Sequence, residues 1–140
     1  MAVLFLRPPA SSGVARALAS FPGTPDDLRA AAATVGASLG PLQHVFDDPE
    51  NDSVASVADL LATFRTYRVR LARYRSAHVL SPQPFDPDDP ACPKDNGENA
   101  RAWYLFTRGK RLADDLASVL EYLEKVAGLG VETLTIKAYR

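Results

Sequence analysis

The chain has 140 residues and a mass of 15.1 kDa, the size of one domain with a substantial core. An apolar fraction of 46%, a charged fraction of 24% and a mean hydropathy of −0.12 exclude wholesale disorder, a collagen-like fibre and a disulfide scaffold. The net charge of −1 exerts no global pull toward nucleic acid or an anionic membrane. No apolar run approaches the roughly 18 residues that a membrane-spanning helix needs.

Cys92 is the sole cysteine, so an intramolecular disulfide and a four-thiolate metal site are ruled out. His44, His78 and Cys92 share no ligand spacing, and neither a metal nor a cofactor is expected. The first residues are too short an apolar run, too soon followed by Pro8 and Pro9, for a secretion signal. The expectation is a cytoplasmic protein that does not enter a membrane.

In chain order, residues 2–6 form an apolar run closed by Arg7-Pro8-Pro9, which reads as a strand. Ser11 or Ser12 is placed to cap a short helix that runs to Phe21 and stops at Pro22-Gly23. Thr24-Pro25-Asp26-Asp27 is a strong helix start, with a capping hydroxyl, proline at the first helical position and two carboxylates at the positive helix end. That helix is expected to run to Ser38 and stop at Gly40-Pro41. An acidic loop, Asp47 to Asp52, follows.

Ser53 is read as the cap of the next helix, of roughly 25 residues and about 37 Å. Its apolar face carries Val57, Leu60, Phe64, Tyr67, Leu71, Tyr74 and His78. Residues 80–97, rich in proline and aspartate, read as a long loop. From about 98 to 128 a second long helix is expected, with Leu105, Phe106, Gly109, Leu112, Leu116, Val119, Leu120, Leu123 and Ala127 on one face. The alternative is a strand over residues 101–107 that turns at Gly109. Residues 131–139 alternate and carry β-branched side chains, which predicts a strand.

The expected fold is therefore one α+β, mainly α domain over residues 1–140. It comprises an antiparallel hairpin of two long helices, two shorter N-terminal helices and a small pair of terminal strands.

Three features bear on function. Arg65, Arg68, Arg70, Arg73 and Arg75 fall within eleven residues with no acid among them, and Arg108 and Arg111 follow on the next helix. Arginine forks fit carboxylate and phosphate, which points to an acidic partner. The acids of the connecting loop, from Asp86 to Glu98, compete as internal partners. Trp103 and Tyr104 lie off the apolar stripe, on Tyr122's side; with arginine they make the usual anchors of a protein interface, unless the N-terminal segments bury them.

The third feature is Arg73-Tyr74-Arg75-Ser76-Ala77-His78, whose arginine, four residues and histidine resemble the motif of HEPN-type helical ribonucleases. The resemblance implies a metal-independent endoribonuclease in which Arg73 and His78 act together on the RNA backbone at a dimer interface. Tyr74 stands where that family commonly has a polar residue. Five positions also set Arg73 and His78 about 140° apart on a continuous helix.

No nucleophile elbow, phosphate-binding glycine loop or dinucleotide fingerprint is present. The expectation is a non-enzymatic module that binds a protein or acidic partner through Arg65, Arg68, Arg70, Arg73, Arg75, Arg108, Arg111, Trp103 and Tyr104. A homodimer through the helices or terminal strands is compatible with it. The HEPN-like ribonuclease and a non-catalytic nucleic-acid binder are the alternatives.

Overall fold

The computed structural model describes residues 2–49, 51–78 and 109–139. Within them lie β1 (Ala2–Arg7), β2 (Ala17–Phe21), α1 (Pro25–Thr34), β3 (Ser53–Ser56), α2 (Val57–His78), α3 (Gly109–Gly128) and β4 (Thr133–Tyr139), with single 3-10 turns at Ala10–Ser12 and Gly40–Leu42. The four strands form one sheet in the order β2-β1-β4-β3, every neighbouring pair antiparallel. The helices cover one face of it.

This arrangement replaces the expected long-helix hairpin with two N-terminal helices. The terminal strands are neighbours, with Leu4 opposite Ala138 and Leu6 opposite Ile136, but they form the middle of a four-stranded sheet and not an isolated pair. A two-stranded ribbon is marginal in water, and β2 and β3 supply the missing pairing on either side.

The two elements that differ most are those whose conformation is decided by a distant partner. Residues 17–21 form β2, not the end of a helix, because Leu4 and Ala2 of β1 pair with Ala19 and Phe21. Ser12 does cap a turn, but only a 3-10 turn: its hydroxyl donates to the Pro9 carbonyl (2.6 Å) and accepts from the Val14 amide (3.2 Å). Ser53 likewise opens β3, pairing with Ile136 of β4. The hydroxyl facing the first turn of α2 is that of Ser56, which accepts from the Asp59 amide at 3.4 Å. One more ladder bond, from the Val57 amide to the Glu132 carbonyl (2.9 Å), ties the start of α2 to the entry of β4.

The start of α1 follows its local sequence. Thr24 accepts from the Asp27 amide (3.1 Å) while the Asp27 carboxylate accepts from the Thr24 amide (2.9 Å), with Pro25 in the first turn, a complete capping box. The helix ends at Thr34, earlier than the expected Ser38, because Gly36 adopts a φ of +73°. The Gly36 amide donates to the Ala33 carbonyl (3.0 Å) and the Ala37 amide to Ala32 (2.8 Å), the paired bonds of a Schellman stop. Arg29 then fastens α1 to the following segment, reaching Asp26 (3.0 Å), Asp47 (2.7 Å) and the Gln43 carbonyl (3.1 Å).

The core lies between the sheet and the helices. From α2 come Val57, Leu60, Phe64, Tyr67 and Leu71, all buried, with Tyr74 half-buried against them. From α3 come Leu112, Leu116, Val119, Leu120 and Leu123. Val126 is buried near the end of this helix and Ala127 is exposed, a one-residue shift from the expected face. Phe21 of β2 stacks on Phe64 of α2 with ring centroids 5.9 Å apart. The Tyr67 hydroxyl, fully buried, donates to the Leu28 carbonyl of α1 at 3.4 Å. Each such side chain contributes about 1.5–3 kcal/mol by leaving water. The expectations for residues 79–108, including the loop, the segment carrying Trp103 and Phe106, and the alternative strand, lie outside the described residues.

Candidate functional site

Successive side chains of a strand point to opposite faces. In β1 the inward set is Ala2, Leu4 and Leu6, at most 1% exposed; Val3, Phe5 and Arg7 face the other way. The pairing register extends that outer face to Leu18 and Ser20 of β2, to Thr133, Thr135, Lys137 and Tyr139 of β4, and to Val54 and Ser56 of β3. The three helices among the described residues pack on the opposite, buried face.

An antiparallel sheet with one face in water ordinarily alternates apolar and polar residues. β4 obeys this, with threonines and Lys137 outward. β1 does not, since Ala2-Val3-Leu4-Phe5-Leu6 is apolar on both faces. The consequence is an apolar patch on the outer face that spans β2, β1 and the end of β4. Leu18 is 65% exposed and Tyr139 45%, and Phe5 meets Tyr139 edge to face at 6.2 Å; Val54, also exposed, stands apart on the far edge strand, opposite Thr135.

Cations border the patch. The Arg16 guanidinium lies 5.6 Å from the centre of the Phe5 ring, within cation–π range. Val3, Phe5, Arg16, Leu18 and Tyr139 line a shallow depression of about 470 Å³. Arg16 also borders a second depression, of about 370 Å³, with Arg7, Pro8, Pro9 and Thr135. Lys137 completes the rim. No acid occupies an outward position on any of the four strands; Asp52, just before β3, pairs with Arg7 at 3.3 Å. Charge on this face is therefore positive although the chain as a whole is not.

Two of the α2 arginines have partners within the fold. Arg65 pairs with Glu124 of α3 at 3.3 Å, and Arg70 donates to the Gly36 carbonyl at the end of α1. Arg68 and Arg73 are exposed and Arg75 is half-buried; none of the three has an ion pair among the described residues. Arg111 is exposed on α3 and acts on Asp115 one turn along. Tyr122 is half-buried under the loop between β1 and β2, its hydroxyl donating to the Ala15 carbonyl at 2.7 Å. Burial pushes its phenol up from 10.0, so the group stays a donor. Arg108, Trp103 and Tyr104 lie outside the described residues, as does the His78 side chain; Arg73 is near the end of α2 with its side chain in solvent.

Among the described residues no three His, Cys, Asp or Glu side chains come together to hold a metal, and no helix is long and apolar enough to cross a membrane. Phe5, Arg16, Leu18, Lys137 and Tyr139 were not among the residues expected from sequence to form a site. The available signal was the unbroken apolar run of β1, which identifies a strand that needs cover on both sides. Comparison with protein-family models, curated proteins and solved structures finds no match.

Proposed function

We propose that the chain is a non-enzymatic interaction module that binds an acidic protein partner on the open face of its sheet. The observation that carries this reading is the patch of Val3, Phe5, Leu18 and Tyr139, bordered by Arg7, Arg16 and Lys137. Exposed apolar patches with polar rims mark interaction sites, and aromatic and arginine side chains supply most of the energy at such interfaces. An exposed aliphatic such as Leu18 at its centre favours a protein surface over nucleobases, which stack on aromatic rings. The acidic character of the partner follows from the rim. Relative to the sequence-based expectation, the partner class is kept and the surface moves from the arginine-bearing helix to the sheet. Arg68 and Arg73, exposed on α2, offer a secondary anionic contact. A cytoplasmic setting, in which Cys92 stays reduced, fits this role.

The test is an NMR titration of the isotope-labelled chain with three probes: a peptide alternating glutamate and leucine, its lysine-for-glutamate counterpart, and a single-stranded uridine oligomer. The glutamate peptide is expected to shift residues 3, 5, 18, 137 and 139, and to bind at least tenfold more weakly to Leu18→Glu and to Arg16→Glu. Oligomer binding that falls steeply with salt would replace this reading with nucleic-acid binding. Oligomer cleavage lost in His78→Ala would replace it with the ribonuclease.

A further inference from the structure

A second, separate surface lies at the edge of the same sheet. β2 is an outermost strand. Among the described residues its only ladder is with β1, and no backbone hydrogen bond crosses its other edge. An edge strand of this kind is a template for another chain. It is not blunted in the usual ways, since residues 17–21 include neither a charge nor a proline.

α3 runs beneath this edge and leaves a cleft of about 280 Å³. The strand side is kept open by the small side chains of Ala17 and Ala19, and the helix side presents Asp115, Ser118 and Tyr122. Asp115 is the unusual member. Its Oδ2 atom is shut off from solvent and receives no hydrogen bond, so the carboxyl lacks the donors that ordinarily offset burial. Burial is the main influence on this carboxyl and raises its pKa above 3.8; Arg111 lowers it and Asp114 raises it further.

We infer that this cleft binds an extended peptide that adds to β2 as a fifth strand and places a lysine or arginine side chain against Asp115. Backbone pairing along β2 supplies affinity, and side chains entering the cleft between strand and helix supply selectivity, the general logic of strand addition. Side chains alternate along the added strand, so every second one faces α3. The one that comes over Ala17 and Ala19 meets the Asp115 carboxylate on the cleft wall. The ligand class is therefore a basic extended peptide, opposite in charge to the partner of the sheet face. Leu18 borders both surfaces, whereas Asp115 belongs to the cleft alone.

The full chain is titrated with an end-blocked peptide of about seven residues, alternating lysine and threonine, roughly 23 Å when extended. The expected result is amide shifts confined to residues 17–20 and 114–122. Asp115→Asn, which keeps the shape of the side chain, weakens binding at least tenfold, and so does Ser118→Lys, an exposed position on the cleft wall. Of two versions of the peptide N-methylated on alternate residues, one loses binding and the other keeps it, because only one edge of an added strand faces β2. The inference is overturned if no binding occurs, if the shifts fall on Phe5, Lys137 and Tyr139, if both variants bind like the parent, or if the two methylated peptides behave alike. The glutamate counterpart of the peptide is expected to leave residues 114–122 unshifted, whatever it does at the sheet face.

Discussion

Replacing Gly36 with alanine tests how α1 ends and what one of the α2 arginines is for. Two costs arise in Gly36→Ala. The φ of +73° lies in the left-handed region, where a Cβ costs about 1 kcal/mol or somewhat more. That Cβ would also sit 2.8 Å from Nη1 of Arg70. The guanidinium lies at the end of a flexible, exposed side chain and can withdraw, but withdrawal breaks its bond to the Gly36 carbonyl, a charge-assisted contact worth about 1 kcal/mol at a solvated site. The sum is about 2 kcal/mol, or a fall in Tm of about 8 °C for a domain of this size.

The two parts separate in a double-mutant cycle. Arg70→Ala alone costs about 1 kcal/mol, and Gly36→Ala made on that background costs only the backbone part, about 1 kcal/mol. Urea unfolding of the four proteins measures this directly, with the double variant near 2 kcal/mol below the parent instead of the ~3 kcal/mol that additivity requires. Strict additivity would show that Arg70 does not hold the end of α1. So would a cost below ~0.5 kcal/mol for Gly36→Ala. Arg70 would then be free to serve a partner, as the sequence pattern first implied.

Three other outcomes are expected. Asp115→Asn raises Tm at neutral pH, because burial lifts the folded-state pKa of Asp115 above 3.8 and the parent loses stability as pH rises from there through the folded value. The gain fades as pH falls to about 3.8, and a gain that is the same at every pH in thermal melts would refute the assignment. Phe64→Ala, which removes a ring 1% exposed and stacked on Phe21, costs about 3–5 kcal/mol by chemical denaturation; a loss under about 2 kcal/mol would mean that the sheet and α2 are not packed through this pair. Arg68→Ala and Arg73→Ala, exposed and without ion pairs among the described residues, change stability by less than ~0.5 kcal/mol, and a larger loss in urea melts would place them among the structural arginines with Arg65 and Arg70.

Much of the local structure is legible in the chain itself. The start of α1 is fixed by Thr24, Pro25 and Asp27, which satisfy one another within four residues. The core stripe of α2 is readable because a helix of 22 residues repeats its period many times. β4 announces itself through alternating threonines and aliphatics. In each case the signal and its physical cause lie within one element.

What the sequence left open are the elements too short to carry a period of their own. β2 has five residues and β3 four. Serines near each of them suit a helix cap as well as a turn, and only the edges of β1 and β4 decide that these segments extend. The candidate surfaces share that origin. The sheet face exists because the register sets Leu18 beside Phe5 and Val3 beside Tyr139, residues more than a hundred positions apart in the latter pair. The cleft exists because α3 lies under the outer edge of β2. Local sequence determines where the chain can coil or extend; the pairing of distant strands determines which side chains meet, since each backbone edge is satisfied only by a partner that folding brings to it.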